Sequence, residues 1–251
     1  MDLSGLLTAQ VLGFFLVFAR LGSAMVFMPG FGEAAVIPRH RVFFALLMSL
    51  ALYPATPVTS LPIDNPLALF PLYALEITVG LWIGLTARII MTTLQFTGSQ
   101  IGLVSGLANA FAPEMGNFQG ANMIASALLI AGVTLVFVTD LHHVIIRALI
   151  MSYDVFPIGR LVVGDLAQQM VKAVSASFYI GAALAAPFYV MGLVLNAGLG
   201  LANRMMPSLP VFFVAAPVLI AAGLFVMVVA IPSMMQNFLA RFTEWFGSFT
   251  F

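Results

Sequence analysis

The chain has 251 residues, 62% of them hydrophobic and 7% charged, with nine Lys and Arg against nine Asp and Glu and a mean hydropathy of +1.12. Soluble domains carry about 25% charged residues, so this composition cannot clothe a water-facing surface and points to an integral membrane protein. Zero net charge excludes a nucleic-acid surface, and the absence of cysteine excludes disulfides, thiolate metal sites, iron–sulfur clusters and a cysteine nucleophile.

A spanning helix needs about 20 mostly apolar residues, and Pro and Gly divide the chain into six predicted helices. Met1-Asp2-Leu3 lacks the positive n-region of a removable signal peptide, so the first helix, near 6–28, is expected to be retained. It contains Arg20 and ends at Pro29-Gly30-Phe31-Gly32. A second helix, near 40–53, follows the basic Arg39-His40-Arg41 cluster and stops at Pro54, Pro57, Pro62 and Pro66. The third, near 68–107, carries Glu76 and Arg88. At 1.5 Å per residue it would run about 60 Å against a hydrocarbon core of about 30 Å, so it must tilt, kink or protrude.

The remaining helices are predicted near 120–152, 166–202 and 211–245, separated by Phe156-Pro157-Ile158-Gly159 and by Met206-Pro207-Ser208-Leu209-Pro210. The expected fold is all-α: a polytopic membrane protein of long, kinked helices and helical hairpins. Ionisable side chains at membrane depth face protein or water rather than lipid. Arg20, Glu76 and Arg88 are therefore expected to pair with protein groups in an assembled complex, and Asp140 and Arg147 to be shielded in the same way. By the positive-inside rule, Arg39 and Arg41 favour the cytoplasm for the first loop, and Arg204 does so for the turn containing Met205, Met206 and Pro207. These few charges leave the orientation of the termini open.

Glycines four apart share a helix face and let a partner backbone approach closely. Gly80 with Gly84, and the doubled series Gly98, Gly102 and Gly106, are the candidate packing faces. The 15 methionines, including Met234-Met235, suit irregular core gaps. His142-His143 beside Asp140 invites a metal or proton-relay reading, but adjacent residues diverge by about 100° on a helix, and helix-end polar residues satisfied by water or backbone are the simpler reading. Ser105 before Gly106 suggests an intramembrane hydrolase, yet Leu103 stands where the Gly-x-Ser-Gly pattern needs glycine. The stretch 107–123 mixes Asn109, Pro113, Gly116 and Asn117 with Phe111, Met115 and Phe118 between apolar helices. Non-helical backbone at membrane depth survives only against protein or a water cavity, so a re-entrant or pore-facing loop fits, with an ordinary hairpin loop as the alternative.

Several of these segments together resemble the FliR/SctT family of type III secretion export-gate proteins. They are Arg20 to Gly32, Val36-Ile37-Pro38-Arg39-His40-Arg41-Val42, Glu76 to Gly84, Gly98 to Gly102, Phe111-Ala112-Pro113 and Phe156 to Gly159, in order over nearly the whole chain. The 203–210 hairpin turn is similar to that of the small FliQ-type subunit. The resemblance implies a FliP-like portion over 1–160 and a FliQ-like helical hairpin over 161–251. It also implies assembly in a helical hetero-oligomer with FliP-like and FliQ-like core subunits, beside FlhB-like and FlhA-like export components and lipid.

The implied activity is a channel for unfolded flagellar subunits leaving the cytoplasm, in the bacterial inner membrane at the flagellar basal body, with no catalytic residues, cofactor or metal. The family's plug corresponds to 106–122, giving Phe111, Pro113, Met115, Gly116 and Phe118 as gate residues, and the turn at Arg204 lies at the cytoplasmic entrance. A virulence injectisome homologue is the alternative within the family. A stand-alone secondary transporter is the alternative outside it, and it would require an inverted repeat that the two halves do not display.

Overall fold

Among the described residues there are seven α-helices: α1 (Leu3–Phe27), α2 (Pro38–Leu52), α3 (Leu69–Val104), α4 (Gln119–Val138), α5 (His142–Val155), α6 (Val163–Met205) and α7 (Val211–Gly247). Two 3₁₀ turns, Tyr53–Ala55 and Pro57–Ser60, follow α2. The structure, a computed structural model, describes residues 3–33, 36–60, 69–107, 119–159, 163–206 and 211–247, and among these there is no strand.

Local chemistry accounts for the boundaries. Pro38 opens α2 at a first-turn position where its missing N–H is harmless. Gly30 (φ 82°) and Gly159 (φ 80°) occupy left-handed positions just beyond α1 and α5, which glycine adopts without steric cost. The helix expected over 120–152 is in fact two, broken at Thr139-Asp140-Leu141, with Asp140 at φ 58°. Hydropathy alone ran through this point. The break follows because Asp is among the few residues that tolerate the left-handed region, and the Asp140 carbonyl then accepts from the His143 N–H at 3.0 Å.

Among the described residues four helices are long and apolar enough to cross a membrane, and α4 with α5 would make a fifth as a broken span. With 36 residues, α3 runs about 54 Å, and the 43-residue α6 runs about 65 Å. Both exceed a single hydrocarbon core. Pro187 lies inside α6, and Pro217 and Pro232 inside α7. Membrane helices accommodate such prolines because neighbouring helices and hydroxyl side chains re-satisfy the freed carbonyls.

Two compact units divide the chain, each from discontinuous segments. The first comprises Met1–Ile90, Phe137–Val174 and Thr243–Phe251, with a core including Leu16, Val17, Leu21, Met25, Ile83, Ile145 and Leu149. The second comprises Met91–Val136 and Ser175–Phe242, with Leu94, Ile101, Leu128, Phe188, Met234, Met235 and Phe238 buried. The Met234-Met235 pair is thus core filler, as its flexibility suggested. Of the four spans α3 is the most buried and α7 the least. Val42, Phe43 and Leu50 on α2, Val190, Leu193 and Val194 on α6, and Phe225, Val228 and Val229 on α7 are exposed. Apolar faces of this extent need a lipid or protein coat.

Candidate functional site

A buried ion pair organises the first unit, and glycine makes it possible. Glu76, Gly80 and Gly84 recur every four residues and so share one face of α3. A Cβ on Gly80 would strike the Ser23 side chain and the Arg20 carbonyl, and one on Gly84 would strike the Ala24 backbone. With hydrogen in place of both, α1 lies directly against α3 and Arg20 reaches Glu76. The Arg20 Nε donates to Glu76 Oε2 at 2.6 Å and Nη2 to Oε1 at 2.9 Å, a bidentate pair. Each residue is 1% exposed.

α5 closes the pair from the other side. Arg20 Nη1 donates to Ser152 Oγ at 3.1 Å, and Nη2 also donates to the Phe156 carbonyl at 3.0 Å. The guanidinium carbon lies 3.8 Å from the centroid of the Tyr153 ring, a cation–π contact in a desolvated setting. Phe156 caps the C-terminal end of α5, where carbonyls turn to acceptor roles outside the helical ladder. Its ring meets Trp82 edge to face at 5.6 Å, and the Trp82 indole N–H donates to the Leu166 carbonyl at 3.0 Å. Arg20 and Glu76 therefore find their partners within this chain, whereas they were expected to pair in the assembled complex. Arg88 is half-buried and donates at 3.5 Å to the carbonyl of Gly32, in the turn that follows α1.

The second unit contains the other glycine face. A Cβ on Gly98 would meet the Ala125 and Ile124 backbone, so α3 and α4 touch main chain to main chain there. Gly102, one turn on, is buried. Gly106 does not continue this face. It lies past the end of α3 at φ 69°, and a left-handed residue terminates a helix rather than lining it. A polar seam joins α3 to α6: Thr93 and Ser177 hydroxyls are 2.9 Å apart, Thr97 donates to the Gly181 carbonyl at 3.2 Å, and Tyr189 Oη donates to Gln100 Oε1 at 3.2 Å. No motif in the sequence marked this seam. Its signal was threonines four apart facing small residues four apart, Ser177 and Gly181. Ser105 is fully buried and donates to the Ile101 carbonyl, with Gly223 of α7 packed on it.

The plug residues Phe111, Pro113, Met115, Gly116 and Phe118, like Pro207 in the turn, lie outside the described residues. Arg204, Met205 and Met206 are exposed at the C-terminal end of α6. A cation in the last helical turn complements the helix dipole.

Residues 11–245 match the family model for bacterial export proteins, family 1. The chain is 38% identical over 237 residues to the flagellar biosynthetic protein FliR of Caulobacter vibrioides, covering 94% of both chains. It is 27% identical to the FliR proteins of Escherichia coli, over 81% of this chain and 78% of that one, and of Bacillus subtilis, over 86% and 85%. The match runs through α1 to α7 and takes in both glycine faces and the buried ion pair, and the chain belongs to the bacterial export protein family 1.

Proposed function

We propose that this chain is a pore-forming subunit of the flagellar type III export gate, passing unfolded flagellar subunits out of the cytoplasm. The observation that carries the reading is 38% identity to a flagellar FliR protein across 94% of both chains. Three features of the molecule support it. α3 and α6 are longer than a single bilayer requires, as expected of a subunit packed among other helices. The apolar faces of α2, α6 and α7 are large enough to take FliP-like and FliQ-like neighbours as well as lipid. The charges within the spans are spent on structure rather than presented to a small solute, as the Arg20–Glu76 pair illustrates.

On this reading 1–160 is the FliP-like portion and 161–251 the FliQ-like hairpin. The segment 106–122 plugs the resting channel, and FlhB-like and FlhA-like components lie at the cytoplasmic side, where the Arg204 turn faces them. The site of action is the inner membrane at the flagellar basal body. Deletion of the gene should abolish both swimming and secretion of hook and filament subunits, and affinity purification of a tagged copy should recover FliP-like and FliQ-like chains. A deletion strain that still secretes and swims would overturn the proposal. Loss of needle-type secretion with motility intact would reassign the chain to an injectisome.

A further inference from the structure

The break between α4 and α5 gathers three metal-ligating side chains within four residues. Asp140, His142 and His143 each place one donor atom in a cluster no more than 4.8 Å across. Adjacent residues do leave a helix in different directions, but these two histidines sit at its first two positions, one residue beyond the left-handed Asp140, and their rings converge to a centroid separation of 4.1 Å.

We propose that Asp140, His142 and His143 form a tridentate site for a borderline divalent transition ion, Zn²⁺ in the cell. Imidazole nitrogen and carboxylate oxygen are the donor set such ions prefer. The geometry is nearly that of a bound state. His143 Nδ1 lies 3.9 Å from Asp140 Oδ1, too long for a hydrogen bond, whereas donors about 2.1 Å from a tetrahedral ion lie roughly 3.4 Å apart. This pair needs a closure of about half an ångström, and no pair in the cluster needs more than about 1.4 Å. Nδ1 of His142 is buried with no hydrogen-bond partner, an arrangement that carries a desolvation cost and that metal coordination at that nitrogen would offset. The Phe137 ring stacks on His142 at 5.2 Å and 22°, holding the imidazole plane as outer groups around metal ligands do. Both histidines also line an apolar cavity of about 410 Å³ with Met25, Met28, Phe31 and Phe44, which limits water on that side and leaves the remaining coordination positions open outward.

Asp140 and His143 are mostly exposed, with 77% and 69% of their side chains accessible, so substituting them removes ligands while sparing the core. The full chain, purified in detergent with a tag free of histidine, is titrated with Zn²⁺ by calorimetry and with Co²⁺ by visible absorption. One saturable ion per chain is expected, with a visible Co²⁺ ligand-field band. Asp140→Asn and His143→Gln should each weaken binding at least tenfold, His143→Cys should restore it, and His40→Gln should leave it unchanged. Absence of saturable binding in the parent, or equal affinity in an Asp140→Asn/His143→Gln double variant, would overturn the site. Both outcomes are independent of whether the chain takes part in export.

Discussion

Arg20 ties α1 to both α3 and α5, through four hydrogen bonds made in the apolar interior. The sequence makes its presence conspicuous, a lone cation among apolar residues, and the general cost of such a charge makes a partner necessary. It does not say which partner. Glu76 is 56 residues away, Ser152 is 132, and the Phe156 carbonyl belongs to no side-chain motif at all. Removing one member of a buried pair leaves the other uncompensated, at a cost of about 3–5 kcal/mol. Arg20→Met should therefore lower the amount of folded protein in membranes severely. Joint replacement, Arg20→Met with Glu76→Leu, should recover much of the loss. Quantitative blotting of membrane fractions checks both, and a double variant no better than the single would contradict this account of the pair.

At the scale of helices, four-residue glycine spacing draws attention to two faces of α3 without fixing how far either extends. Gly80 and Gly84 give α1 access to α3, and Gly98 gives α4 access to it; Gly106 keeps the four-residue spacing yet ends the helix. Spacing cannot separate these roles, because the difference lies in a backbone angle of 69°. The same limit explains the missed break at 139–141: hydropathy is continuous through Val136-Phe137-Val138 and resumes at Val144, and a single aspartate decides the geometry. Two expectations follow for these contacts. Gly80→Leu should force α1 from α3 and, because Arg20 rides on that contact, resemble Arg20→Met in membrane abundance more than an ordinary overpacking substitution of about 1–3 kcal/mol. Normal abundance would place the α1–α3 contact outside the determinants of folding. The Thr93–Ser177 bond should contribute modestly, with a coupling of about 0.6 kcal/mol in a Thr93→Val/Ser177→Ala cycle, read from detergent unfolding. A coupling above about 2 kcal/mol would mean that the seam is a principal fastening.

For the whole molecule, composition pointed to the membrane class, and the long apolar stretches cut by Pro and Gly pointed to an all-α architecture. The division into units was not legible, because each is assembled from segments far apart in sequence. Two predictions belong here. Deletion of 109–119 should raise ion leakage through the assembled core complex with assembly retained, since apolar constrictions such as one lined by Phe111, Met115 and Phe118 close a pore by dewetting; leakage at the parental level would exclude the plug. A cysteine placed by Ser208→Cys should react with an impermeant maleimide from the cytoplasmic face, and labelling from the periplasmic face would invert the topology. The Arg20 cluster also imposes a schedule. At about 5–20 residues per second, α1 is synthesised about 3–11 s before Glu76 and about 7–27 s before Phe156, given separations of 56 and 136 residues. Through that interval it carries an unneutralised cation whose insertion penalty is about 2.5–3.5 kcal/mol at a helix centre. Arg20 thus stays without its counter-charge until α3 is made, and α5, made last, completes the cluster.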